Sequence, residues 1–254
     1  MRNESEINSE LLRIKAASAA FTNEALNRIL YTCDDLLNSE LPDCFKEKLA
    51  DIDVECCRLI CNRLLLDRIG SYLTSTGKSD NCCSFFDVYV NCCRTVESIC
   101  MKVGTLFSYT GFVPPCNLKI SAEKCCMLLL LPIALALDYD PENDIRLDVS
   151  RRGDRLELEY VFSGKVPPVA ELAEECKKTD LSSGLYFTRP LLALDLTEAA
   201  ANCGALLSVG RKGLALSLPI AESGTSVNST PESYIDNRFS LPYIMLSGIV
   251  RREI

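Results

Sequence analysis

The 254-residue chain contains no histidine and no tryptophan. Without imidazole, the chain's own side chains cannot run Ser-His-Asp hydrolysis, Cys-His proteolysis, a His-ligated zinc or a phosphohistidine relay. Long apolar runs are missing too. The longest, residues 127–137, has 11 residues, against the roughly 20 that span a bilayer. It reads as a buried helix, and no membrane segment is expected. No basic cluster exceeds two residues, as in Arg151-Arg152 and Arg251-Arg252, and 27 Lys+Arg against 35 Asp+Glu leave a net charge of −8. Nucleic-acid binding runs on clustered Lys and Arg, so a phosphate-backbone partner is not expected. The opening residues Met1-Arg2-Asn3-Glu4-Ser5-Glu6 are polar, which predicts no secretory signal and a cytoplasmic location.

Hydrophobic residues make up 48% of the chain and charged residues 24%, the balance of a soluble globular protein that buries a full core without staples. Cysteine is abundant, with 15 residues. Several stand in adjacent pairs, Cys56-Cys57, Cys82-Cys83, Cys92-Cys93 and Cys125-Cys126, and none has the C-x-x-C spacing of zinc ribbons and thioredoxins. Neighbours on a helix point about 100° apart and do not build one site together. The pairs read as small hydrophobes in a reducing cytosol, ahead of a Cys-only metal site or a redox sensor.

Apolar periodicity predicts helices over residues 5–38 and 44–75. In the first, Leu26, Ile29, Leu30, Cys33 and Leu37 extend the apolar stripe. In the second, Leu49, Ile52, Cys56, Leu59, Leu66 and Leu73 run close to a heptad seam. Pro42 ends the first helix and Asp43 is read as the cap of the next. Two such helices form a hairpin that cannot bury its faces alone, so pairing in a homodimer is expected. Residues 74–83 read as a linker, after which the pattern becomes mixed. Helices are predicted near 84–103, 122–137 and 187–202, with a short one ending near 178. Extended pieces are predicted at 106–109 and 117–120, and hairpins at 145–162 and 205–218. Residues 221–233 read as a flexible linker, and residues 234–254 as a tail apolar enough to dock.

This order resembles the catalytic core of bacterial sensor histidine kinases over about residues 10–220. The family's phosphoacceptor box, F-x-H-E-x-R-x-P-L, is matched by Phe21-Thr22-Asn23-Glu24-Ala25-Leu26-Asn27-Arg28-Ile29. Asn23 stands where the phosphorylated histidine would be, and its delocalised amide carries no nucleophilic nitrogen. Glu24 stands where the family has an acid/base partner for that histidine. The family's N-L-L-x-N-A box, whose asparagines help to hold Mg²⁺ and phosphates, is met by Leu131-Pro132-Ile133-Ala134-Leu135-Ala136. Leu131 and Leu135 replace both asparagines, and leucine offers Mg²⁺ no oxygen. The D-x-G-x-G box, which serves adenine, is met by Val161-Phe162-Ser163-Gly164-Lys165, with Val161 at the aspartate. In the phosphate-facing G-x-G-L box, Ser182-Ser183-Gly184-Leu185 keeps the second glycine and the leucine.

The resemblance implies an α+β chain. Residues 1–78 would be a hairpin forming a dimeric four-helix bundle. Residues 79–220 would be a two-layer α/β sandwich of the histidine-kinase/gyrase ATPase type, and residues 221–254 a linker and tail. Positions that maintain the fold keep the right residue type, whereas those that touch phosphate, metal or adenine are largely apolar. The implied function is a degenerate, pseudokinase-like dimer that binds a response regulator or another kinase in bacterial signalling. ATP and Mg²⁺ would be cofactors by resemblance only, and none is expected here. The face around residues 23–28 is the candidate interface. The alternative is a residual ATP-binding or ATP-hydrolysing domain in which Glu123, Asp138 or Asp140 holds a metal in a rearranged site.

Overall fold

The computed structural model describes residues 26–33, 35–74, 81–178, 188–222, 225–230 and 240–250. The chain divides into two units, a smaller one ending at Ile60 and a larger one beginning at Cys61.

In the smaller unit, the first helix, α1, is helical over residues 26–33 and 35–37. It buries Leu26, Leu30 and Cys33, an i, i+4, i+7 stripe, and leaves Ile29 exposed. The turn that follows closes with Ser39 N–H and Oγ both donating to the Leu36 carbonyl. Helix α2 spans Asp43–Thr74. The Pro42 carbonyl accepts from Phe45 and Lys46, so Pro42 holds the cap position read above as Asp43. Asp43 instead lies in the first turn, where its charge complements the helix dipole. The predicted heptad seam splits in two. Cys56 is buried, whereas Ile52, Leu59 and Leu66 are 47%, 36% and 40% exposed, in line with Phe45 at 55%. Successive members are seven residues apart and lie on one face of the helix.

The larger unit contains α2 from Cys61 onward, strand β1 (Cys83–Ser84), α3 (Phe85–Lys102), β2 (Phe107–Tyr109), β3 (Asn117–Leu118) and α4 (Ala122–Tyr139). After these come β4 (Ile145–Arg152), β5 (Arg155–Phe162), α5 (Val169–Lys178), α6 (Thr188–Asn202), β6 (Leu206–Val209), β7 (Gly213–Pro219) and α7 (Leu241–Val250). The main sheet has the order β2-β4-β5-β7-β6, and β1 and β3 pair separately. Strand β2 runs parallel to β4, and the other three pairings are antiparallel. The parallel pair needs a crossover, which α4 supplies. Strands β4 and β5 are joined by a two-residue loop in which Gly153 takes φ +63°. Hairpin turns of this kind require a positive φ, which glycine adopts without strain.

Inward side chains alternate along the strands: Ile145, Leu147 and Val149 on β4, Leu156, Leu158, Tyr160 and Phe162 on β5, and Leu214, Leu216 and Leu218 on β7. They meet α4, in which every residue from Cys125 to Leu137 is buried. A helix apolar all round belongs inside a core. Ser121 caps it, accepting from the Lys124 N–H. Pro132 lies within it and has no N–H to offer the Leu128 carbonyl one turn back. The buried Tyr160 hydroxyl reaches from the sheet to the Leu128 and Leu129 carbonyls at 3.4 and 3.3 Å. A buried carbonyl left open by proline thereby regains a donor.

Two segments depart from the sequence reading. Residues 225–230 are tied down, not free. Asn228 and Ser229 N–H donate to the Cys82 carbonyl, and Ser229 Oγ caps the Ala122 N–H at 2.9 Å. Cys82 and Cys83, read as part of a polar linker, are buried beneath this strap. The tail docks on its own chain, where α7 packs on α3 and α4 and buries Met245 and Leu246. No helix among the described residues is long and apolar enough to cross a membrane.

Twelve of the 15 cysteines are buried, Cys116 and Cys203 are half-buried, and Cys44 is exposed. Burial pushes the Cys61 and Cys100 thiols up to about 12, and it is the thiolate that reacts. A thiol reagent applied to native protein is expected to label Cys44 quickly, Cys116 and Cys203 slowly and the others only after denaturation. Peptide mass mapping checks this, and rapid labelling of the α3 or α4 cysteines contradicts it. Tyr160→Phe removes the donor for the proline-freed carbonyl. It is expected to lower stability by about 1–2 kcal/mol, measured by urea unfolding, and an unchanged midpoint argues against that role.

Candidate functional site

The family resemblance directs attention to the C-terminal end of α4, the loop after it, the loop after β5 and the start of α6. Leu131 and Leu135 have no exposed surface and belong to the core shared by α4 and the sheet. Val161 takes the opposite alternation on β5, between the buried Tyr160 and Phe162. Its register partners are Arg146 and Gly213. The outward register of Val161 therefore does not bring it together with the two leucines. Asn23, Glu24, Ser182 and Gly184 lie outside the described residues.

Gly164 is the centre of a closed polar lock. Asn143, wholly buried, accepts from the Gly164 N–H at 2.6 Å and donates through Nδ2 to the Lys165 carbonyl at 2.9 Å. Asp140 accepts from the Lys165 N–H at 3.0 Å. Asp144 and Ser163 bond each other's backbone, with the Asp144 N–H donating to Ser163 Oγ and the Ser163 N–H to the Asp144 carbonyl. A Cβ on Gly164 would stand 2.6 Å from Asp140 Oδ2 and 2.8 Å from Asn143 Oδ1. The missing side chain thus makes room for the chain's own carboxylate and carboxamide. Sequence reasoning passed over Asn143 and Asp144 because Asp and Asn between a helix and a strand look like ordinary turn residues.

The three carboxylates considered for a rearranged metal site are each engaged elsewhere. Glu123 pairs with Arg68 at 3.0 Å. Asp138 pairs with Arg189 at 2.9 Å, and the same guanidinium donates to the Asp138 carbonyl and lies 5.3 Å from the Tyr139 ring centroid. Asp140 holds the Lys165 N–H. Among the described residues no three Cys, Asp or Glu side chains converge as a metal-binding group. Arg189, which ties the first turn of α6 to the end of α4, carried no signal in the sequence. Its partner is 51 residues away, and a lone arginine at a helix start looks like a solvated charge.

No family model matches the sequence, and no curated protein does. Similarity appears at the level of structure. The full-length histidine kinase ShkA, solved in complex with AMPPNP, superposes with a TM-score of 0.58 at 13% identity, over 82% of this chain and 46% of that one. This chain therefore spans less than half the length of ShkA. Histidine kinase AdeS of Acinetobacter baumannii gives a TM-score of 0.48 at 11% identity, over 79% of this chain and 96% of that one. Histidine kinase ThkA, solved with the response regulator TrrA, gives 0.48 at 13% identity, over 85% and 64%. With its mixed sheet, its helices and the ShkA superposition taken together, the chain has the fold of a sensor histidine kinase catalytic core.

Proposed function

We propose that this chain is a catalytically degenerate histidine-kinase-like protein that acts as a homodimeric partner-binding module in bacterial signal transduction. The observation that carries this reading is the burial of Leu131 and Leu135. By resemblance these positions belong to the asparagines that hold Mg²⁺ and phosphate. Leucine supplies no oxygen ligand, and neither side chain reaches a surface from which to supply one. The lock at Gly164 supports the same reading. Asp140 and Asn143 take up the space in front of its backbone, where active relatives bring the nucleotide. On this reading the described residues there do not suit a magnesium-bound nucleotide. Asn23 at the phosphoacceptor position leaves no nitrogen to phosphorylate. The partner that suits this architecture is a response regulator or another kinase, meeting it through the face around residues 23–28. Active relatives work in the bacterial cytoplasm, and the same location is proposed here.

Homodimerisation is supported by the exposed stripe of Phe45, Ile52, Leu59 and Leu66 on α2. A heptad-spaced apolar stripe is the pattern by which helices pair, and these four side chains are exposed.

Thermal unfolding with millimolar Mg-ATP is expected to shift Tm by less than about 1 °C, because a ligand that does not bind the native state cannot stabilise it. A shift of several degrees would overturn the proposal in favour of a residual ATP-binding domain. Light scattering at micromolar protein is expected to give twice the 28.1 kDa chain mass. The double substitution I52E/L59E is expected to give the monomer with its helix content intact. A monomeric wild type refutes the dimer.

A further inference from the structure

Asp195 lies in the middle of α6 with no exposed surface, among Leu191, Leu192, Ala193, Leu194 and Leu196. Its Oδ2 accepts from Arg68 Nε at 3.4 Å, at the long end of the range. Its Oδ1 has no hydrogen-bond partner among the described residues. A buried carboxylate held by a single long bond retains most of its desolvation penalty.

Arg68 is not dedicated to this carboxylate. Its Nη1 donates to Glu123 on α4 at 3.0 Å, and its Nη2 donates to the Tyr72 hydroxyl. Glu123 is 73% exposed, so that pairing costs little desolvation. The Arg68 guanidinium and Lys124 Nζ lie 5.6 and 5.8 Å from the Tyr72 ring centroid, and Lys124 Nζ also donates to Asn202 Oδ1 at 3.0 Å. The charged and titratable groups around Asp195 are thus Cys61, Arg68 and Tyr72 on α2, Glu123 and Lys124 on α4, and Cys203 after α6. Among the described residues Arg68 is the one cation bonded to Asp195. The α2 residues Cys61, Leu65, Ile69 and Tyr72 are all buried in the larger unit.

We propose that Asp195 and Arg68 form a charge-dependent clasp tying the C-terminal half of α2 to α6. The clasp is closed most firmly when Asp195 is neutral, and it depends on Arg68 when Asp195 is ionised. Burial raises the Asp195 carboxyl from 3.8 to about 6, and Arg68 opposes that rise. In the undocked state the carboxyl is solvated and reverts to its ordinary range. The docked state therefore binds the proton more tightly. Docking is favoured below about pH 6 and weakens as the pH rises through that value. Glu123 holds the same guanidinium through Nη1, so Arg68 ties α2 to α4 as well as to α6.

Hydrogen exchange on the full chain at pH 5 and pH 8, corrected for intrinsic rates, tests the clasp. In wild type, protection of the amides of residues 61–74 is expected to fall about tenfold from pH 5 to pH 8. The amides of β5 and β7 are expected to hold constant. Asp195→Asn removes the titration and flattens the difference. Arg68→Met lowers protection of residues 61–74 at pH 8, where the carboxylate is ionised, more than at pH 5. Equal wild-type protection at both pH values, the same slope in Asp195→Asn, or an equal loss in β5 and β7 overturns the proposal.

Discussion

The rest of the larger unit depends on the burial of α4 on every side. A helix with thirteen consecutive buried residues, from Cys125 to Leu137, offers water no face. Each side of it therefore needs a cover. The alternating inner faces of β4, β5 and β7 provide one, and α3, α6 and α7 provide the others. The strap at 225–230 closes its N-terminal end through Ser229 and the Ala122 N–H. Burying a helix so completely leaves its backbone no solvent to fall back on. That is why the one internal proline is answered by a tyrosine hydroxyl from the facing strand.

Polar chemistry is consequently pushed to the two ends of α4. At its C-terminal end, Asp138 and Arg189 tie α4 to α6, and Asp140 and Asn143 lock the loop after β5. At its N-terminal end, Glu123 and Lys124 meet Arg68 and Asn202. At the C-terminal end the described carboxylates, amides and arginine are bonded to one another. The same economy makes Asp195 conspicuous, because its second oxygen is left out of that mutual satisfaction.

Much of the architecture was legible in the residues. Helices α2, α3, α4 and α6 and both hairpins follow from 3.6- and 2-residue apolar periods, which are local properties. Three of the four cysteine pairs were legible as core for a similar reason: their flanks carry the helical pattern, and Cys56, Cys57, Cys92, Cys93, Cys125 and Cys126 are all buried. Less legible were contacts between segments far apart in the chain. Tyr160 and Leu128 are separated by 32 residues, and Ala122 and Ser229 by 107. The strap read as flexible because Ser, Thr, Gly and Asn prefer turns. The bonds that hold it lie on a distant strand and helix. The apolar tail signalled docking, but nothing in its composition named α3 and α4 as the surface.

The sequence by itself determined the absence of imidazole, the acidic balance, the helical and strand periods, and the apolar side chains at Leu131, Leu135 and Val161. These are matters of which atoms exist, and no folding changes them. Tertiary structure alone decided which of those atoms meet. It set Val161 outward and Leu131 and Leu135 inward, filled the space before Gly164, and buried Asp195 against a shared arginine. Register, burial and ion-pair choice arise from long-range packing, in which a residue's neighbours are drawn from the whole chain and not from its flanks.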